Sequence, residues 1–313
     1  MALNKPKFWK IKNHFLSIIL IPLSLVYKLL LYFKKNFSGS HKFKIPIICV
    51  GNIYVGGTGK TPFAIFIANK LTKKNKNPAI LKKEYKDQYD EQNLIKKYFK
   101  NLVVKKDRID GIIEVEKLQY DSVILDDGLQ DYKIKKDLKI VCFNERQQIG
   151  NGLVFPSGPL REDLSSLSTA NIIIINGEKN SNFEKQLLKF NDQLEIFYSK
   201  YIPKNIDVFL NKKLLAFAGI GNPENFFELL DKNKLLVEKK LIFPDHYEFN
   251  KNEVIDIIKE AKEANLKIIT TEKDYCRIKK FELSEIDFLR NELQIHEDEK
   301  LIERVLEVYD KKN

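Results

Sequence analysis

The stretch Ile45-Pro46-Ile47-Ile48-Cys49-Val50-Gly51-Asn52-Ile53-Tyr54-Val55-Gly56-Gly57-Thr58-Gly59-Lys60-Thr61-Pro62 sets an apolar, β-branched strand directly before a glycine-rich turn closing on Gly59-Lys60-Thr61. A polyphosphate is held by backbone N–H groups that converge on it, and such curvature needs residues free to adopt crowded or left-handed conformations. Gly56, Gly57 and Gly59 supply them, with Thr58 inside the cradle. Lys60 is then expected to reach the β- and γ-phosphates of a bound nucleotide and the Thr61 hydroxyl to hold Mg²⁺. Pro62 suits a first helical turn, where its missing N–H has no helical partner to lose. One position departs from the usual spacing: five residues before Gly59, where a glycine is ordinarily found, stands Tyr54, with Gly51 three residues earlier. A ligand-free glycine turn is the plainer alternative, and the strand before and helical pattern after weigh against it.

Downstream, strand-like and helix-like segments alternate, as in a mostly parallel sheet covered by helices. A helix is predicted over about 62–73, with strands at 78–82, 101–105, 122–125, 138–143 and 171–175 and a helical stretch within 91–100. A second set follows at 214–218, 235–242 and 267–270, closed by an amphipathic run over 297–311. The expected fold is therefore an α/β, P-loop NTPase-like sheet flanked by helices, with a second, smaller α/β domain. The expected division is 1–44 for a membrane-associated amino-terminal helix and basic linker, 45–205 for the nucleotide-binding domain and 206–313 for the smaller domain completing an active-site cleft.

At 313 residues and 43% hydrophobic content the chain can build substantial cores, which excludes a disordered protein. Its formal net charge of +11 favours an anionic partner: a nucleic acid, an acidic membrane surface or a phosphorylated substrate. The basic residues are scattered, without the aromatic-interleaved strip that base stacking requires, so no nucleic acid is expected. Cys49, Cys142 and Cys276 lie far apart and suggest neither a disulfide framework nor a zinc site. They read as small core residues in a reducing compartment.

Phe15 to Tyr27 is uncharged and mostly apolar, and beyond Lys28 the run continues through Phe33. Lysines flank it at 5, 7, 10 and 12 and again at 34, 35, 42 and 44. A basic rim at both ends fits a helix held at an anionic surface, whether it crosses or lies in one leaflet. A cleaved secretory signal ending near Ser38-Gly39-Ser40 would carry the phosphate loop away from its nucleotide, and a buried core helix is the other alternative.

Val123-Ile124-Leu125-Asp126-Asp127-Gly128 is the second chemical signal. A hydrophobic strand ending in a carboxylate is how phosphate-loop proteins place an acid beside Mg²⁺, and the pair Asp126 and Asp127 lets one contact the metal while the other orients its shell.

Taken in order, VGNIYVGGTGKTP, DDGLQDYKIKKDLKIV, IGNGLVFPSGPLRE, FAGIGNPENFF, FPDHYEF and ITTEKDY resemble the tetraacyldisaccharide 4′-kinase family of lipid A biosynthesis over about residues 45–280, together with the apolar amino-terminal helix. The resemblance implies ATP-dependent phosphorylation of the 4′-hydroxyl of an acylated glucosamine disaccharide 1-phosphate. It places the enzyme at the cytoplasmic face of a bacterial inner membrane, anchored by the amino-terminal helix, with no obligate protein partner evident.

Phosphoryl transfer to an alcohol needs a group that accepts the hydroxyl proton, commonly a carboxylate. By similarity to the family's Gly-Asp-Glu-Pro segment, Asp90 in Tyr89-Asp90-Glu91-Gln92 takes that role, although the flanking glycine and proline are missing. Lys82-Lys83-Glu84-Tyr85 likewise departs from the family's Ser-Arg-Gly-Tyr, and Gln130-Asp131 from its Gln-His. His246 in Phe243-Pro244-Asp245-His246 is the histidine that would tune the base, which requires the two domains to face each other across a cleft. Arg161, between two prolines and Glu162, is the cation expected to stabilise charge on the transferred group, the alternative being a surface ion pair with Glu162. A membrane-associated ATPase acting as a nucleotide-dependent switch or partitioning protein is the competing function; it would hydrolyse ATP without lipid and would not need the Phe-Pro-Asp-His segment.

Overall fold

Aliphatic, β-branched runs bounded by turns form the strands, and the segments between them with apolar residues at helical spacing form the helices. The computed structural model describes residues 6–85, 89–245 and 247–312. In chain order these contain α1 (Phe15–Ile19), α2 (Ile21–Phe37), β1 (Ile47–Gly51), α3 (Lys60–Lys73), β2 (Pro78–Lys83) and α4 (Tyr89–Tyr98). Next come β3 (Leu102–Lys105), α5 (Arg108–Lys117), β4 (Ser122–Asp126), β5 (Leu138–Asn144), β6 (Ile172–Asn176), α6 (Ser181–Leu188) and β7 (Glu195–Pro203). The remainder is β8 (Lys213–Ala218), α7 (Pro223–Lys232), β9 (Leu236–Ile242), α8 (Lys251–Glu263), β10 (Lys267–Thr271), α9 (Glu272–Ile278), β11 (Ile286–Leu289), β12 (Asn291–Ile295) and α10 (Asp298–Asp310).

The chain divides into two compact units. The larger comprises, among the described residues, 6–84, 98–200 and 293–312; the smaller comprises 85, 89–97 and 201–292.

The larger unit is built on an eight-stranded sheet in the order β12-β7-β6-β5-β1-β4-β2-β3. From β7 to β3 every pair is parallel. Strands buried on both faces read as continuous apolar runs rather than alternating ones, and β1, β4 and β6 do so. One core cluster gathers Ile47, Leu81, Val103, Ile112 and Val123; another gathers Ile53, Phe143, Leu160, Ile173 and Phe183. The order reverses at β1, which has β4 on one side and β5 on the other. Ligands of open α/β sheets bind outside the carboxyl ends of the strands at such a reversal, and here the glycine loop follows β1.

The smaller unit carries a four-stranded parallel sheet in the order β11-β10-β8-β9. Leu214, Ala216, Phe226 and Leu230 pack on one face, and Leu215, Phe217, Val254 and Ile258 on the other.

The amino-terminal apolar run is neither a long spanning helix nor a buried one. It breaks at Leu20 into α1 and α2, and no helix among the described residues is long and apolar enough to cross a membrane. The small polar residues Ser17 and Ser24 face inward, while Phe15, Ile19, Leu23, Leu30 and Phe37 are exposed. The inversion has a local cause. Ser24 Oγ donates to Val154 O (2.8 Å) and accepts from Ser157 N (3.0 Å), and Asn151 Nδ2 donates to Ser17 Oγ (3.0 Å).

Candidate active site

Beyond β1, Asn52 is buried and donates Nδ2 to Thr58 Oγ1 (2.9 Å), which draws the two ends of the loop together. Val55 N donates to Pro159 O (2.9 Å) and Arg161 N to Ile53 O (2.7 Å), tying the outer half of the loop to the segment that carries Arg161. Gly56, Gly57 and Gly59 have φ of 71°, 63° and 85°, the left-handed region expected of them. A residue bearing Cβ would cost roughly 1–2 kcal/mol at each. Tyr54, where a glycine is usual, is not among the left-handed positions; its ring is buried and its backbone bridges to Leu160.

Gly59 is the N-cap of α3, so the first N–H groups of that helix open toward the cradle. Thr61 lies within that turn and donates Oγ1 to Asp126 Oδ2 (3.0 Å). The register sets Val50 beside Asp126 and Asp126 beside Lys82, so the carboxyl ends of β1, β4 and β2 meet at one level. Lys82, at 3% exposure, donates Nζ to the same Asp126 oxygen (2.8 Å). Asp126 Oδ1 is buried with no hydrogen-bond partner among the described residues. One hydroxyl and one carboxylate with spare lone pairs is an oxygen set suited to Mg²⁺, which retains waters and binds few protein ligands.

Asp127 turns away from the strand in a left-handed conformation (φ 59°). Arg161 Nη1 donates to both of its oxygens (2.9 and 3.0 Å), and Lys60 Nζ stands 3.8 Å from Oδ2. Burial pushes this carboxyl upward, but Lys60 and Arg161 outweigh it and hold Asp127 below the usual carboxylate range. Arg161 therefore pairs with Asp127; its neighbour Glu162 is buried and accepts from Gln130 Nε2 (2.6 Å). Arg108 Nη2 donates to the carbonyls of Asp126 (3.2 Å) and Asp127 (2.8 Å), fixing the turn between the two acids. Lys60, Thr61, Asp126, Asp127 and Arg161 are thus gathered at one end of the larger sheet.

Within the smaller unit, Asp90 sits in the first turn of α4 with 4% exposure. Arg277 donates Nη2 (2.6 Å) and Nε (3.1 Å) to Asp90 Oδ2, and Lys273 Nζ is 3.4 Å from the same oxygen. Lys273 also reaches Glu91 (3.0 Å) and Asp245 (3.9 Å). Burial depresses the Lys273 ammonium, yet these carboxylates raise it overall. His246 lies outside the described residues.

Sequence reasoning quotes Lys82 and Lys273 within motifs but gives them no role, and passes over Arg277. Lys82 offers only a weak signal, a cation where an apolar strand reaches its carboxyl end. Lys273 and Arg277 stand four residues apart, the spacing that puts side chains on one helical face.

The family model for tetraacyldisaccharide-1-P 4′-kinase matches residues 16–310. The tetraacyldisaccharide 4′-kinase of Pelagibacter ubique is 42% identical over 99% of this chain and 100% of its own length. That of Rickettsia felis is 32% identical over 96% of each. Among solved structures, LpxK from Aquifex aeolicus in complex with ATP superposes with a TM-score of 0.72 at 25% identity, covering 94% of this chain and 99% of that one.

Proposed function

From the premise that the chain belongs to the tetraacyldisaccharide-1-P 4′-kinase family, ATP-dependent kinases of lipid A biosynthesis, we propose which of its residues carry the reaction. The 4′-hydroxyl of the acylated disaccharide 1-phosphate is the acceptor and ATP the donor. The observation that carries the reading is the Thr61 hydroxyl bonded to a carboxylate whose second oxygen is buried and, among the described residues, unpartnered.

The loop N–H groups around Gly56–Gly59 and the start of α3 cradle the phosphates, and Lys60 neutralises them. Thr61 and Asp126 would hold Mg²⁺, which would supply positive charge to offset that of the phosphates. Asp127 keeps Lys60 and Arg161 directed at the cradle. A cation 3.8 Å from its carboxylate, as Lys60 is, exchanges that contact for phosphate at small cost. Arg161 then meets the charge that develops on the transferred group. Asp90 accepts the hydroxyl proton and His246 tunes it. The exposed apolar face of α1 and α2, rimmed by Lys34 and Lys35, docks on an anionic membrane surface, which delivers a lipid that cannot leave the bilayer cheaply.

The test is incubation of the purified protein in detergent with labelled ATP and acylated disaccharide 1-phosphate. A bisphosphorylated lipid is expected, and ATP hydrolysis without such a product would overturn the assignment. His246→Ala is expected to slow turnover about a hundredfold with nucleotide binding intact.

A further inference from the structure

The Thr270-Thr271-Glu272-Lys273-Asp274 segment has no part in the reaction as described so far, although Lys273 contacts Asp90 and Asp274 holds Arg277, which also contacts it. Asp274 is fully buried in the first turn of α9. Its Oδ2 accepts from Gly219 N (2.9 Å) and Thr271 Oγ1 (2.7 Å), and its Oδ1 from Arg277 Nη1 (2.6 Å). Arg277 Nη1 also donates to Gly219 O (2.6 Å). The backbone at Gly219 lies close to this acid: a Cβ there would stand 3.1 Å from Asp274 Oδ1 and 3.3 Å from Phe243 Cβ, so a larger residue would press its neighbours aside. One edge of the guanidinium is thus fixed by the smaller unit's own backbone and a buried acid. Its remaining donors, Nε and Nη2, both fall on Asp90 Oδ2. Because the guanidinium is rigid and planar, fixing one edge fixes the direction of the other. Lys273, four residues earlier on the same face, contacts the same Asp90 oxygen and links it to Asp245, the residue before His246.

We propose that Arg277 and Lys273 are positioning residues for Asp90, and that Asp274, Thr271 and Gly219 form the rigid mount that aims Arg277. The inference rests on Asp90 being the proton acceptor. A carboxylate that must meet one hydroxyl in one orientation gains rate from being held there, because misplacement of a reacting group by about 1 Å costs on the order of a hundredfold. A buried ion pair that served folding alone would set stability and leave turnover untouched.

The experiment is a double-mutant cycle between Arg277→Gln and Asp90→Asn in the full-length protein, reading kcat, KM for ATP and melting temperature, with Arg277→Lys as the conservative variant. Arg277→Gln is expected to lower kcat about 10- to 100-fold with KM for ATP changed less than about twofold, and Arg277→Lys to recover part of the loss. In the Asp90→Asn background the same change is expected to cost less than about threefold. Multiplicative losses would show Arg277 acting independently of Asp90, and a lowered melting temperature with intact kcat would show a structural role; either overturns the proposal. Full activity in Asp90→Asn alone would remove the base assignment and the clamp with it, an outcome distinct from both. Should Arg277→Gln fail to fold, Lys273→Gln, which removes only the outer cation, is run through the same cycle with the same expectations.

Discussion

Thr61 Oγ1 donates to Asp126 Oδ2 at 3.0 Å although 65 residues separate them, which joins the end of the glycine loop to the end of the neighbouring strand. In the proposed reaction both groups would hold the same Mg²⁺. Asp126→Asn and Thr61→Ala are therefore each expected to slow turnover at least about a hundredfold and to abolish the gain in ATP affinity that Mg²⁺ brings. Calorimetric titration of ATP with and without Mg²⁺ checks this; an unchanged Mg²⁺ gain in both variants would remove the metal assignment.

Lys82 and Asp126 are a buried pair, and deleting one partner strands the other charge. Lys82→Ala is expected to destabilise the larger unit by about 3–5 kcal/mol, and Lys82→Met combined with Asp126→Asn to recover much of that loss. Urea midpoints of the three proteins measure it, and a single variant as stable as the parent would contradict it.

The outward faces of α1 and α2 carry Leu23 and Leu30 at 58% and 62% exposure. Charges placed there should weaken lipid binding without touching the core. Leu23→Asp with Leu30→Asp is expected to reduce co-sedimentation with anionic vesicles at least about tenfold while leaving the melting temperature within a few degrees. Retention of vesicle binding would move the docking face elsewhere.

Lys28 donates to Asp163 at 2.7 Å. Burial raises this carboxyl, but the Lys28 bond and the Ser165 N–H bring it below its ordinary value of 3.8. A lowered folded value means the contribution to stability is complete above the ordinary value and disappears as pH falls through the folded one. Both side chains are partly exposed, so the contribution is no more than about 1 kcal/mol. The melting temperatures of the parent and Lys28→Met are expected to differ slightly at neutral pH and to converge as pH falls through the lowered Asp163 value; a gap that persists once Asp163 is protonated would mean that Lys28 acts through packing.

Much of the fold was legible from periodicity. The helix expected over 62–73 is α3, and the strands expected at 78–82, 122–125, 138–143, 214–218 and 267–270 are β2, β4, β5, β8 and β10. β7 and β12 escaped because charged and polar residues interrupt the apolar ones in Glu195–Pro203 and Asn291–Ile295, and pairing within the sheet makes them strands. The cradle was legible because glycine at a left-handed position leaves a compositional trace. The partners of the acids were not. Lys82 meets Asp126 only through the parallel register of β2 and β4, and Arg277 meets Asp90 only once α4 and α9 are packed, 187 residues apart in sequence. The inward serines of the amino-terminal run were hidden as well, since a hydropathy profile counts Ser17 and Ser24 as blemishes in an apolar stretch when they are its points of attachment.

Those attachments bear on how this protein can be handled. Trp9 Nε1 donates to Pro156 O, Ser24 bonds to Ser157, and Tyr27 OH donates to Arg161 O. Cutting away the greasy leader to obtain a water-friendly fragment would unseat the very stretch that presents Arg161. A detergent-free preparation is better sought by repainting the outer surfaces of α1 and α2 and leaving Ser17 and Ser24 in place.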